Sequence, residues 1–270
     1  MNAAHQGADL ERRFGGLRRL YGEAGYARLR QASVAVVGLG GVGSWAVEAL
    51  ARSGVARLVL VDLDHVAESN INRQVQALAS TLGQHKALAL QDRIALIHPG
   101  CQVQVVDDFA SPENWPGLLL QPVQAVIDAC DQVRAKLAIA AWALREKVPL
   151  VCVGAAGGKK EAQRVEVSDL AQTTHDPLLA SLRQRLRKQA GVARQGQAMG
   201  VRCVFSRESV ALPAAEQDCD LDGSLNCHGY GSSVAVTATF GMVAAGEAIA
   251  QLIAAHSAAA LEPGEVLAII

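Results

Sequence analysis

The stretch VVGLGGVGSWAVEAL, Val36 to Leu50, constrains the fold of this chain most strongly. An apolar run ends in glycines, and a helical pattern starts directly after them. Gly38, Gly40 and Gly43 satisfy the G-x-G-x-x-G spacing, and Gly41 adds a fourth glycine. Such a strand–turn–helix offers backbone N–H groups to an anion at a helix N-terminus, so it reads as a phosphate-binding turn. The glycines alone suit the pyrophosphate of a dinucleotide as well as the triphosphate of ATP.

Strand-like and helix-like segments alternate around this turn. Residues 9–32 read as an arginine-rich helical lead-in. Strands are expected at Ser33–Val37, Arg57–Asp62, in QVQVVDD, at Ala125–Asp131 and in PLVCVGAAG. Helices are expected at Val42–Arg52, at His85–Ile97 and in RAKLAIAAWALREK; PENWPGLLLQ reads as a short helix or an irregular crossover. Repeated βα units predict an α/β, Rossmann-like, doubly wound and mainly parallel sheet. Ligands of such sheets sit at the carboxyl ends of the strands. Residues 1–157 are expected to form the lead-in and an ATP-binding Rossmann-like domain. Residues 158–270 read as an irregular α+β extension, packed on the same sheet, for substrate binding and dimerisation. Within it, RVEVSDLA and GVRCVFSRES read as strands and DPLLASLRQRLRKQAG as a basic helix.

Composition narrows the classes. Half of the 270 residues are hydrophobic, enough for a substantial core, and the formal net charge is only −1. Bulk charge therefore does not announce a nucleic-acid protein, and no DNA partner is implied, although a local basic patch can still serve. None of the six cysteines forms a C-x-x-C pair, which removes the paired structural zinc site. Their scattered spacing suits reduced thiols in a cytoplasmic protein. The first 16 residues carry no apolar core of a signal peptide. Val234–Ala255 is long enough to span a bilayer and holds one charge, Glu247. A buried core or dimer-interface helix is the preferred reading over a membrane segment, because an uncompensated glutamate in lipid is costly.

The segment VDLDHVAESNINRQ separates the two nucleotide readings. Asp62 ends the second strand about 20 residues after the glycines, where an acid binds ribose hydroxyls. Asp64, Asn70, Asn72, Arg73 and Gln74 follow. A hydride-transfer site has little use for a strong cation and several amides beside the phosphates. A nucleotidyl-transfer transition state does, because charge spreads over the phosphate oxygens. Arg73 suits a bidentate phosphate contact, and Lys86 offers a second cation. Asp128 and Asp131 in DACD end a later strand and are candidates to hold Mg2+.

In order and spacing, GLGGVGS, Asp62, SNINRQ, GQHKA and DACD resemble the ATP-dependent activating enzymes of the ubiquitin-activating superfamily, over residues 33 to about 155. The resemblance implies adenylation of a carboxylate with ATP and Mg2+, usually by a homodimer. Carried over by position, it implies that Gly38, Gly40, Gly41 and Gly43 form the nucleotide loop. Asp62 then binds ribose, Asn70, Arg73 and Lys86 bind phosphate, and Asp131 holds Mg2+. Arg13 resembles an arginine that reaches ATP across the dimer. A narrower likeness, in RRFGGLRRLYG, NRQVQAL, VVDDF, DPLLASLRQRLRK, VRCVFSRES and NCHGYGSSVAVTATFG, is to the tRNA threonylcarbamoyladenosine dehydratases of that superfamily.

That likeness implies tRNA bearing threonylcarbamoyladenosine as substrate. The basic helix, with Arg183, Arg185, Arg187 and Lys188, becomes a candidate tRNA contact. Cys227, beside His228 in a glycine loop, is a candidate thiol, since relatives use one to take an acyl group from AMP. Ring closure within the substrate needs no such thiol. An alternative is an adenylyltransferase acting on the C-terminal glycine of a ubiquitin-like sulfur carrier, with a sulfur-transfer protein as partner. An NAD-dependent dehydrogenase or a dinucleotide sensor is the rival from another class.

Overall fold

The structure, a computed structural model, describes residues 8–188, 196–210 and 230–259. Seven strands form one sheet: β1 (Ser33–Val37), β2 (Arg57–Val61), β3 (Gln102–Val106), β4 (Ala125–Asp128), β5 (Leu150–Val153), β6 (Val165–Asp169) and β7 (Arg202–Ser206). Their order is β3-β2-β1-β4-β5-β7-β6. Every pairing is parallel except β6 with β7. The central strands β1, β4 and β5 are buried along their whole length. Continuous apolar runs such as SVAVV and LVCV suit that position, with helices on both faces. The edge strands β3 and β6 are partly exposed.

After the short helix α1 (Leu10–Phe14), helices α2 (Gly16–Leu29), α3 (Gly43–Arg52), α4 (Lys86–Ile97) and α7 (Val234–Ala259) cover one face. Helices α5 (Val133–Glu146) and α6 (Pro177–Lys188) cover the other. Strand order reverses between β1 and β4, so their carboxyl ends open a crevice at the switch point. The predicted starts shift little: His85 is the N-cap of α4, its Nδ1 accepting from the Ala87 N–H. The stretch PENWPGLLLQ forms turns and no helix.

Helix α7 is long and apolar enough to cross a membrane. One side of it is nevertheless spent on the core, while Val234 and Met242 stay exposed. Val236, Phe240, Ala244, Ala248 and Ile249 join the cluster built by α3 and the sheet. Glu247 is also compensated: its carboxylate accepts from Arg202 Nε of β7 at 2.9 Å, with 17% of the side chain exposed.

The lead-in helices dock through their basic residues. Arg13 donates from Nη1 to the carbonyls of Leu96 and Ile97, capping the last turn of α4. The arginine expected to reach across a dimer is thus placed on its own chain's helix. Phe14, 3% exposed, packs edge-on against His98, and Arg30 donates to His98 Nε2 at 2.9 Å. Burial, reinforced by Arg30, lowers the His98 pKa to about 4. Between that value and the unfolded value near 6.5, the unfolded chain binds a proton that the native chain refuses. Stability is therefore full above about pH 6.5 and is lost as pH falls toward 4, by on the order of 1 kcal/mol per unit. A urea-melt series at pH 7, 6 and 5 on wild type and His98→Gln is expected to show the loss in wild type and a flatter profile in the variant.

Candidate active site

The glycine turn leaves β1 where the exits of β2 and β4 converge. Gly38 N–H donates to the Val61 carbonyl, and Ala129 N–H donates to the Val37 carbonyl. Gly38 has φ +85°, and a Cβ there would lie 2.8 Å from the Cys130 amide nitrogen. A Cβ on Gly43 would lie 1.8 Å from the Gly38 carbonyl oxygen. Both positions therefore demand glycine, one for its backbone angle and one for the close approach of the chain. Gly40 faces open space, and Gly41 packs on the stem of Arg73. Val42 is the N-cap of α3 and supplies no side-chain cap, so the helix begins with an open N-terminus at the edge of the crevice, where Gly40, Gly41 and Val42 line it.

Asp62 is oriented by backbone donors. Its Oδ2 accepts from Leu39 N–H at 2.6 Å and its Oδ1 from Asp64 N–H at 2.9 Å. Lys86, nearly buried, pairs with Asp64 at 2.6 Å and lies 4.0 Å from Asp62. Arg73 is held in place by its surroundings. Its carbonyl accepts from Trp45 Nε1 at 2.9 Å and from Thr237 Oγ1 at 3.4 Å. Its Nη1 donates to the Ser69 carbonyl and to Asn72 Oδ1. It forms no ion pair among the described residues, and burial alone lowers its pKa. A half-buried guanidinium without a carboxylate attracts an anion.

These groups line one cavity of about 370 Å³, within the range of small-molecule sites. Gly38, Gly40, Gly41, Asp62, Asp64, Arg73, Gln74, Lys86 and Asp131 all face it. Gly43 supports the turn from behind. Asn70 is not brought in: it is buried, and its Oδ1 accepts from the Ala67 N–H, capping the turn Glu68–Asn70. A short amide following a turn satisfies its own backbone first.

Asp128 needs a correction as a metal candidate. It is 0% exposed and ion-paired at 3.1 Å with Lys136, which is equally buried. Lys136 Nζ also donates to the Asp128 carbonyl. Burial opposes the ammonium, but the attraction of Asp128 overcomes it and raises the Lys136 pKa. Both carboxylate oxygens are engaged, Oδ1 by Cys130 N–H and Lys136, and Oδ2 by the Cys152 thiol. Asp128 thus braces the floor beneath DACD, and Asp131 is the member that reaches the cavity.

Sequence reasoning missed Lys136, Trp45, Thr237 and Cys130. Cys130 lines the cavity, but burial and then Asp128 push its thiol well above the ordinary range, which makes it a poor nucleophile at neutral pH. Cys227 lies outside the described residues. Of the basic helix, Arg183 is spent internally: its Nη1 donates to the Leu170 and Thr173 carbonyls and to Thr173 Oγ1. That commits Nη1 to the protein, while the side chain still lines a shallow hollow on the surface of α6. Arg185 and Lys188 are exposed, and Arg187 is half-buried.

Known proteins match this arrangement over most of its length. A model of the ThiF family covers residues 15–264. The tRNA threonylcarbamoyladenosine dehydratase of Escherichia coli is 43% identical over 251 residues, 90% of this chain and 94% of that protein. The enzyme of the same name from Haemophilus influenzae is 41% identical over 247 residues, 91% of this chain and 95% of its own length. A crystal structure of the E. coli dehydratase in complex with ATP has a TM-score of 0.83 and 42% identity. It covers 94% of this chain and 99% of that one. With the glycine turn, the switch-point cavity and this breadth of likeness in place, the chain belongs to the ThiF family.

Proposed function

We infer that this chain is an ATP-dependent tRNA threonylcarbamoyladenosine dehydratase. The observation that carries the reading is coverage. Relatives named for that reaction match the extension as well as the nucleotide half, over nine-tenths of the chain. The matching E. coli structure is named as a complex with ATP, and the cavity here suits a triphosphate. A tRNA substrate implies work in the cytoplasm.

In the proposed reaction, a carboxylate oxygen of the threonyl group attacks the α-phosphorus of ATP, and pyrophosphate leaves. The carbamoyl group then closes on the activated carbonyl carbon and gives up its proton to solvent. AMP departs with the former carboxylate oxygen, so the nucleoside loses one water overall. The glycine turn and the open end of α3 receive the phosphates. Asp62, already fixed by two backbone donors, accepts from ribose hydroxyls. Arg73 stabilises charge that builds on the transferring phosphate, and Lys86 and Gln74 complete the wall. Holding the carboxylate and phosphorus in register lowers the barrier further.

The residues of this site fit Mg2+. Asp131 faces the cavity and forms no ion pair among the described residues. No group of three or more potential metal ligands occurs among them. Mg2+ needs only one or two carboxylates beside substrate phosphates, so Asp131 would hold it. When bound, the ion supplies neutralisation of pyrophosphate charge. The enzyme is taken to act as a homodimer, with the exposed apolar side chains Ile71, Leu78 and Leu82, between β2 and α4, as candidates for its interface.

ATP–pyrophosphate exchange distinguishes the carboxylates. Exchange is expected with tRNA carrying threonylcarbamoyladenosine. Exchange only with a carrier protein ending in Gly-Gly would replace this reading by the sulfur-carrier alternative.

A further inference from the structure

Helix α6 connects the cavity to the basic surface. Its first residues, Pro177 and Leu178, line the cavity beside the exit of β5. Asp176 locks that junction: Oδ2 accepts from Ala155 N–H at 2.8 Å, and Oδ1 from Leu179 N–H at 2.9 Å. Leu178, Leu179, Leu182 and Leu186 then turn into the protein. The other face carries Pro177, Ser181, Gln184 and Lys188, at spacings of four, three and four, with Arg185 beside them. These spacings keep one side of a helix, so the stripe is continuous from the cavity rim to the last turn. At 1.5 Å per residue it is about 16 Å long.

The basic residues of α6 are unequal. Arg183 is pinned to the Leu170–Thr173 turn, as described above. Arg185 and Lys188 project from the exposed face, and the helix contains no acid to neutralise them. A shallow hollow lies along the stripe, lined by Ala180, Ser181, Arg183, Gln184, Arg187 and Lys188, and Arg187 Nε is buried there without a partner among the described residues. Cations in a last turn also complement the helix dipole. The dipole accounts for their place in the helix, but not for a polar stripe that begins at the cavity.

We propose that the RNA strand flanking the reacting nucleotide lies along this stripe. The modified base enters the cavity at Pro177 and Leu178, and neighbouring phosphates lie over Gln184, Arg185 and Lys188. Two cations in line with an amide and a hydroxyl suit repeating phosphates, which position an RNA without reading its sequence. The proposal rests on the dehydratase reading and assigns its substrate a path and a direction.

The test uses the full chain with Arg185→Glu and Lys188→Glu combined, and a second protein with Arg185→Gln and Lys188→Gln. KM and kcat for modified tRNA are measured across salt concentrations, alongside thermal melts. Near 0.15 M salt, KM is expected to rise roughly tenfold or more in the charge-reversed protein, with kcat within about twofold. In the glutamine protein, the slope of log KM against log salt is expected to shrink by about 1.4, the value for two lost single-strand contacts. Wild-type KM and slope in both proteins would overturn the path, and so would a lowered Tm with an unchanged slope. Were wild type to release no AMP with modified tRNA, the dehydratase reading would fail. Filter binding of the same tRNA to the three proteins, which needs no catalysis, would still decide the surface.

Discussion

Arg73→Ala is expected to slow single-turnover AMP release by about 100- to 1,000-fold, the usual effect of removing one donor aimed at developing charge. The side chain is positioned before any ligand arrives. Trp45 and Thr237 fix its backbone, and Ser69 and Asn72 fix Nη1. No carboxylate pairs with it among the described residues, so its charge is available to phosphate. Arg73→Lys is expected to recover only part of the rate, because an ammonium replaces a planar fork with a point charge. Quench-flow with labelled ATP reads both variants. A wild-type rate in Arg73→Ala would remove the guanidinium from the chemistry.

Lys136→Met is expected to lower stability by about 3–5 kcal/mol, because it leaves the Asp128 carboxylate buried and uncompensated. For a chain of this size the melting temperature should fall by on the order of 10 °C. Adding Asp128→Asn is expected to restore more than half of the loss, since a buried pair contributes less than one broken partner costs. Calorimetry on the two single variants and the double variant checks this. Equal losses in all three would mean that the pair acts by shape and not by charge. The functional consequence follows from position: Asp128 ends β4, and the chain from Ala129 to Asp131 forms the floor of the cavity.

The legible parts of this protein share a physical trait. Gly38, Asp62 and Asp131 each sit at or just beyond a strand end, Arg73 and Lys86 lie in the connection from β2 to α4 and at the start of that helix, and a doubly wound sheet gathers those ends at one crevice. Local pattern plus topology therefore brings them together. Asp128 and Lys136 escaped that reasoning because they are eight residues apart across a strand, a turn and a helix. In sequence, Lys136 looks like a solvated helix residue. The available signal was its register, on the same apolar face of α5 as Ile139 and Ala140.

Asn70 stands outside the cavity lining for a different reason. Its amide is as suitable for a phosphate as for a cap, and only the backbone of the turn decides. Trp45 and Thr237 meet Arg73 through long-range packing of α3 and α7, to which residue spacing is blind. For the basic helix, periodicity holds the distinction: Arg183 and Arg185 are two positions apart and lie on different faces.

The measurement that tests the central claim most directly is AMP formation from ATP with two tRNA pools, one carrying threonylcarbamoyladenosine and one lacking it. The nucleosides are then analysed by mass spectrometry. The account predicts AMP only with the modified pool, with one AMP formed for each nucleoside that loses one water. Equal AMP from both pools, or AMP with no change in nucleoside mass, would contradict it.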